Sequence, residues 1–124
     1  MDKQKIGNRG EQIAASYLQA EGYTLVARNW RCQFGEIDLI MQQNGMLVFV
    51  EVRTRRAQKL QTGEELAFAS ITPRKRQRLI KSVHGYLNKN DLEDIVWRVD
   101  VVAVVLIYDS DRHHVQHVED ALGW

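Results

Sequence analysis

Apolar positions recur at helical spacing near the start of the chain, then give way to short runs of strand character. Ile13, Ala14, Tyr17 and Leu18 share one stripe and predict a helix from about Gly7 to Glu21, with Gly22 as its stop. Tyr23–Arg28 reads as a strand, Glu36–Gln42 as a second and Met46–Arg53 as a third. The Asn44-Gly45 dipeptide between the last two is a strong hairpin signal, so they should pair antiparallel. Residues 54–72 are polar, basic at first and read as irregular. Thr72 is a good N-cap and Pro73 a good first helical residue. The helix they open should run to about Asn88, with Leu79, Ile80, Val83, Tyr86 and Leu87 inward. Val96–Tyr108 is nearly continuous apolar and β-branched, as a strand covered on both faces should be. His113–Glu119 reads as a polar edge strand. The order predicts an α/β fold, a mixed β-sheet of about five strands flanked by α-helices, in a single domain over residues 1–124.

Composition narrows this little. The apolar fraction is 44% and the charged fraction 27%, ordinary for a globular protein. A lone cysteine, Cys32, excludes an intramolecular disulfide and a paired-cysteine zinc site. The polar N-terminus and the lack of a long apolar run predict a cytoplasmic protein that does not enter membranes. Charge is more informative. Residues 51–81 hold nine basic and three acidic side chains, whereas residues 82–124 hold three basic and eight acidic. A basic middle segment fits a phosphate-rich partner, although a solvated helix face produces the same run.

Two acids interrupt the apolar strands, Asp38 in Gly35-Glu36-Ile37-Asp38-Leu39-Ile40 and Glu51 in Val48-Phe49-Val50-Glu51-Val52-Arg53. A carboxylate in an apolar strand costs several kcal/mol unless a cation, a metal or hydrogen bonds compensate it. Strict alternation puts Glu36, Asp38 and Ile40 on one face of the second strand, and Phe49, Glu51 and Arg53 on one face of the third. The hairpin can bring Asp38 to Glu51. Mg²⁺ or Mn²⁺, which favour hard oxygen ligands, would suit the pair. Glu11 on the first helix and the Val52 carbonyl could complete the cage. Alternatively, Arg53, Arg55 or Arg98 satisfies both acids in a buried ion-pair network. Asp100, inside the long apolar strand, needs a partner such as Arg98. Among the basic groups, Arg55, Arg56 and Lys59 follow the acids directly. Arg74, Lys75, Arg76 and Arg78 open a helix, whose N-terminus already favours anions.

The acids resemble those of PD-(D/E)xK nucleases, and the longer pattern is similar to one bacterial family. Gly10-Glu11, Ala14, Tyr17-Leu18, Gly22-Tyr23, Arg28-Asn29-Trp30-Arg31, the two acid-bearing strands through Thr54-Arg55, and Arg98-Val99-Asp100-Val101-Val102 together resemble the UPF0102 (YraN) family. The resemblance implies a restriction-endonuclease-like fold, similar to Holliday-junction resolvases. It implies a Mg²⁺- or Mn²⁺-dependent endodeoxyribonuclease acting on structured or branched DNA, and a homodimer. Asp38 and Glu51 would be the metal-binding catalytic acids, assisted by Glu11 and Val52. Arg53 stands where the superfamily usually has lysine. Arginine stays protonated and cannot serve as a base, so Arg53 is expected to hold the scissile phosphate. A nucleic-acid-binding module without catalysis is the alternative that Arg53 favours. A protein-interaction domain using the acidic C-terminal third is another.

Overall fold

The computed structural model describes residues 2–121. Its order is α1 (Lys3–Ala20), β1 (Thr24–Cys32), β2 (Gly35–Gln43), β3 (Met46–Ala57), α2 (Leu60–Ala69), α3 (Pro73–Lys89), β4 (Trp97–Ile107) and β5 (His113–Val118). The strands form one sheet in the order β1-β2-β3-β4-β5. Only the β3–β4 pair is parallel; the other neighbours are antiparallel. The chain is therefore α/β with a mixed five-stranded sheet, as its pattern predicted.

Each face of the sheet has its own core. Leu39, Met41, Val48, Val50, Val52, Val102 and Val104 pack beneath Ala14, Ala15 and Leu18 of α1. On the opposite face Ile40, Leu47, Phe49, Val99 and Val101 meet Leu79, Val83, Tyr86 and Leu87 of α3. Thus β3 and β4 are covered on both sides, which explains their unbroken apolar character. Asn44 and Gly45 both have positive φ, 51° and 77°, as the tight β2–β3 turn requires.

Three expectations need correction. The first helix begins at Lys3, not Gly7, because the Asp2 side chain accepts from the Lys5 N–H at 2.9 Å and caps it. Residues 54–72 are not irregular: β3 continues to Ala57, and α2 occupies Leu60–Ala69. The buried positions of α2 are Gly63 and Ala67, so no stripe of large apolar residues announces it. A Cβ at Gly63 would collide with Val105 of β4. That close approach seats α2 on the same face as α3. Finally, the faces of β2 do not alternate strictly, with consequences described below.

α1 is held as tightly to β3. A Cβ on Gly10 would overlap the Thr54 side chain, so glycine is what lets the helix lie this close. Gly10→Ala should lower stability by about 2 kcal/mol, a typical overpacking cost, despite alanine's better helix propensity. Chemical denaturation of the two proteins checks this, and an unchanged midpoint would refute it.

Candidate functional site

The site begins where β2 leaves β3. Their pairing runs from Gln43–Met46 to Leu39–Val50 and stops there, one position short of Asp38 and Glu51. The Asp38 carboxylate then accepts the Val52 N–H at 2.8 Å, so a side chain takes an amide on the β2-facing side of β3. In a strand, the N–H and C=O of one residue point to the same edge, so the Val52 carbonyl faces this gap as well.

Alternation breaks at the same point. Ile37 and Ile40, three residues apart, both join the core beneath α3, whereas Leu39 joins the one beneath α1. Glu36 and Asp38 do come together, but Ile40 lies in the core beneath α3, against the expectation that all three share one face. Opposite Asp38, between the paired positions Arg28–Leu39 and Trp30–Ile37, lies Asn29 with φ 51°. The register is the same on either side, so no residue is inserted; the left-handed Asn29 and the Asp38–Val52 bond mark where alternation breaks and Asp38 comes to face α1.

Asn29 also organises the acids. Its Nδ2 donates to Glu11 at 2.9 Å and to Glu36 at 2.7 Å. Arg31 Nε donates to the other Glu36 oxygen at 2.9 Å. Glu11, Glu36 and Asp38 each offer an oxygen, and these oxygens lie within 4.8 Å of one another. Glu51 approaches Asp38 from β3, and both line one open cleft of about 930 Å³ together with Glu11, Val52 and Arg53. Arg53 is held on two sides: Nη1 lies 3.3 Å from Glu51 Oε1, and Nε donates to Ser70 Oγ at 2.7 Å.

The charge balance is unfavourable for the acids. Burial and then the nearby Glu51 charge push the Asp38 carboxyl well above the usual range, although the Val52 N–H opposes this. Burial likewise raises Glu51, against the pull of Arg53. The cations feel one another too. Arg53 and partial burial lower Lys75, and burial followed by Arg53 lowers Arg55. Four carboxylates and a carbonyl in one gap form a hard-oxygen donor set suited to Mg²⁺ or Mn²⁺. A divalent cation there would offset the repulsion that the protein's own groups leave.

The other basic residues divide by position. Arg55, Arg56 and Lys75 line the cleft, and Arg78 lines its extension toward Gly35 and Ser82. Lys59, Arg74 and Arg76 stand outside that lining; Arg76 borders a separate depression with Phe68 and Val101. The alternative network of arginines is realised only at Glu51, through Arg53. Arg98 instead joins Asp100, at 2.9 and 3.1 Å. Asp100 is fully buried, and it also engages His117 Nε2 at 2.7 Å and the Asp120 N–H at 3.0 Å. Burial pushes this carboxyl up, but His117, Arg98 and the Asp120 amide outweigh it and hold it low. Asp100 is a structural acid that ties β4 to β5.

Sequence reasoning missed Asn29, Ser70 and the full part played by Glu36. An asparagine just past the expected end of a strand does not by itself announce a positive φ, and Ser70 falls in the segment read as irregular.

The sign of the Asp38 shift gives a stability test. An unfolded carboxyl ionises near its ordinary 3.8, whereas the folded one resists ionisation. Stability attributable to this group is therefore complete below about pH 4 and is lost as pH rises through the raised folded value. Asp38→Asn removes that loss and keeps an oxygen for the Val52 amide. Without metal, the variant should melt about 2–5 °C higher near pH 8 and match the parent near pH 4. Thermal melts in a chelating buffer decide it; a lower melting temperature at pH 8 would refute the charge argument.

Comparison with known proteins gives a consistent family. Residues 10–104 match the model described as "Uncharacterised protein family UPF0102". A UPF0102 protein of Chloroflexus aurantiacus is 47% identical over 98% of this chain and 95% of its own length. One from Pelobacter propionicus is 38% identical over 97% and 84%. One from Neisseria gonorrhoeae is 44% identical over 81% and 84%.

Proposed function

The chain belongs to the UPF0102 family, and we propose that it is a divalent-metal-dependent endodeoxyribonuclease acting on structured or branched DNA. One observation carries the reading. Asp38 is turned out of the strand pattern onto the Val52 amide, where it meets Glu51, Glu11 and Glu36 in a cleft bordered by cations.

Asp38, Glu51, Glu11 and the Val52 carbonyl are the groups that would hold Mg²⁺ or Mn²⁺, with Glu36 beside them. Once bound, the ion supplies an acidified water and stabilises charge at phosphorus. Arg53 keeps a fixed orientation through Glu51 and Ser70, and its remaining N–H groups can hold a phosphate oxygen. It donates but never accepts a proton in this role. Arg55, Arg56, Lys75 and Arg78 surround the cleft and favour the polyanion by charge alone. Such contacts position a backbone without reading its sequence, in keeping with a substrate recognised by shape. Paired cuts in a four-way junction would need two copies of the chain related by symmetry, hence a homodimer.

A second reading keeps the binding and drops the chemistry. It is favoured by Arg53, whose Nε and one Nη are already committed to Ser70 and Glu51.

The deciding experiment incubates labelled four-way junction, flap, single-stranded and duplex DNA with Mn²⁺. Cleavage of a branched substrate, abolished by Glu51→Ala, is expected. Arg53→Ala should reduce turnover more than about tenfold while the Mn²⁺-dependent rise in melting temperature persists. DNA binding without any cleavage would establish the second reading. Absence of both would remove the nucleic-acid reading altogether.

A further inference from the structure

Five large apolar side chains are exposed among the described residues, and only two are aromatic: Phe34, 39% exposed, and Tyr108, 43% exposed. Both border the groove around the carboxylates. Tyr108 lines the same cleft as Asp38, Glu51 and Arg53. Phe34 lines an adjoining depression, and Gly35 and Arg78 line both that depression and the extension of the carboxylate cleft. The aliphatic Val26, Leu66 and Val96 border neither.

Local structure explains why Phe34 is outside. It occupies a two-residue turn between the paired Cys32 and Gly35, and the φ of 146° at Gly35 closes that turn. A side chain at such a tip reaches neither core. Lys81 Nζ stands 5.8 Å from its ring centroid. At the other end of the groove, Arg56 Cζ stands 4.4 Å from the Tyr108 ring centroid. Each end thus pairs an exposed ring with a cation, and a nucleotide pairs a flat base with an anionic phosphate.

Continuous duplex cannot use such rings, because its bases already stack on one another. Bases at a flap, gap, branch point or single strand offer free faces, and aromatic side chains bind them with little regard to sequence. We propose that Phe34 and Tyr108 are base-stacking platforms at opposite ends of the groove. The substrate class is then DNA with unstacked nucleotides on both sides of the phosphate that lies over the carboxylates. This rests on the nuclease-type reading of that cleft and adds the specificity that basic residues alone do not supply.

The test measures binding by the full-length chain in chelating buffer, so that cleavage does not intervene. The probes are a labelled single-stranded oligonucleotide, its duplex, and a four-way junction with 2-aminopurine at the branch. The single strand and junction should bind more tightly than the duplex, and 2-aminopurine fluorescence should be quenched. Phe34→Ala and Tyr108→Ala should each weaken single-strand binding about tenfold and reduce the quench, leaving duplex affinity and melting temperature unchanged. Phe34→Trp and Tyr108→Phe should retain parental behaviour. Equal losses for duplex and single strand, or no loss in either alanine variant, would overturn the proposal. If DNA binds without preference while Mn²⁺-dependent cleavage survives, only this inference fails. If no probe binds, this inference fails, and the nuclease reading fails with it only when Mn²⁺-dependent cleavage is absent too.

Discussion

A single backbone amide, the N–H of Val52, organises one end of this protein. Had β2 paired with β3 along its whole length, the acids would have remained inside a closed ladder. Because Asp38 takes that amide, pairing stops at Leu39–Val50 and the strands enclose a gap. The exchange keeps the hydrogen-bond account balanced, for the amide loses a carbonyl and gains a carboxylate. It also places a negative charge where the sheet would otherwise be neutral. Glu11, Glu36 and Glu51 reach the gap from a helix and two strands, which the packing of Gly10 on Thr54 and the bonds of Asn29 bring together.

Two acids in the same sheet show what this costs. Asp100 is fully buried, yet Arg98, His117 and the Asp120 amide satisfy it and hold its carboxyl low. At Asp38 burial also penalises the charge, and because its neighbours are further carboxylates its carboxyl is held high. Burial disfavours the charge at both acids, and only at Asp100 do the partners outweigh it. A protein that can fully satisfy one buried acid leaves another strained where binding is expected, as functional sites commonly do.

The sheet was legible because its strands are apolar and β-branched, and because Asn44-Gly45 and Thr72-Pro73 mark a turn and a helix start. Asp38 and Glu51 were legible as neighbours for the same reason. What stayed hidden depends on close packing or on one residue's backbone. α2 turns Gly63 and Ala67 inward, so its periodicity is carried by small residues that no hydrophobicity pattern registers. The break in β2 lies opposite Asn29, whose conformation leaves no trace in composition. Arg98 could be placed near the acids only by guessing register; the folded sheet gives it to Asp100 instead.

α2 runs directly into the residue that orients Arg53. No side chain caps its first turn, a glycine lies within it, and Leu66 is 51% exposed. Its last turn nevertheless leads into Ser70, which fixes the guanidinium of Arg53. A first turn without a cap frays more readily than the strands beneath it. The orientation of Arg53 is therefore tied to the end of a helix as well as to its own strand. Any loosening of α2 would release the arginine on that side while leaving its contact with Glu51 in place.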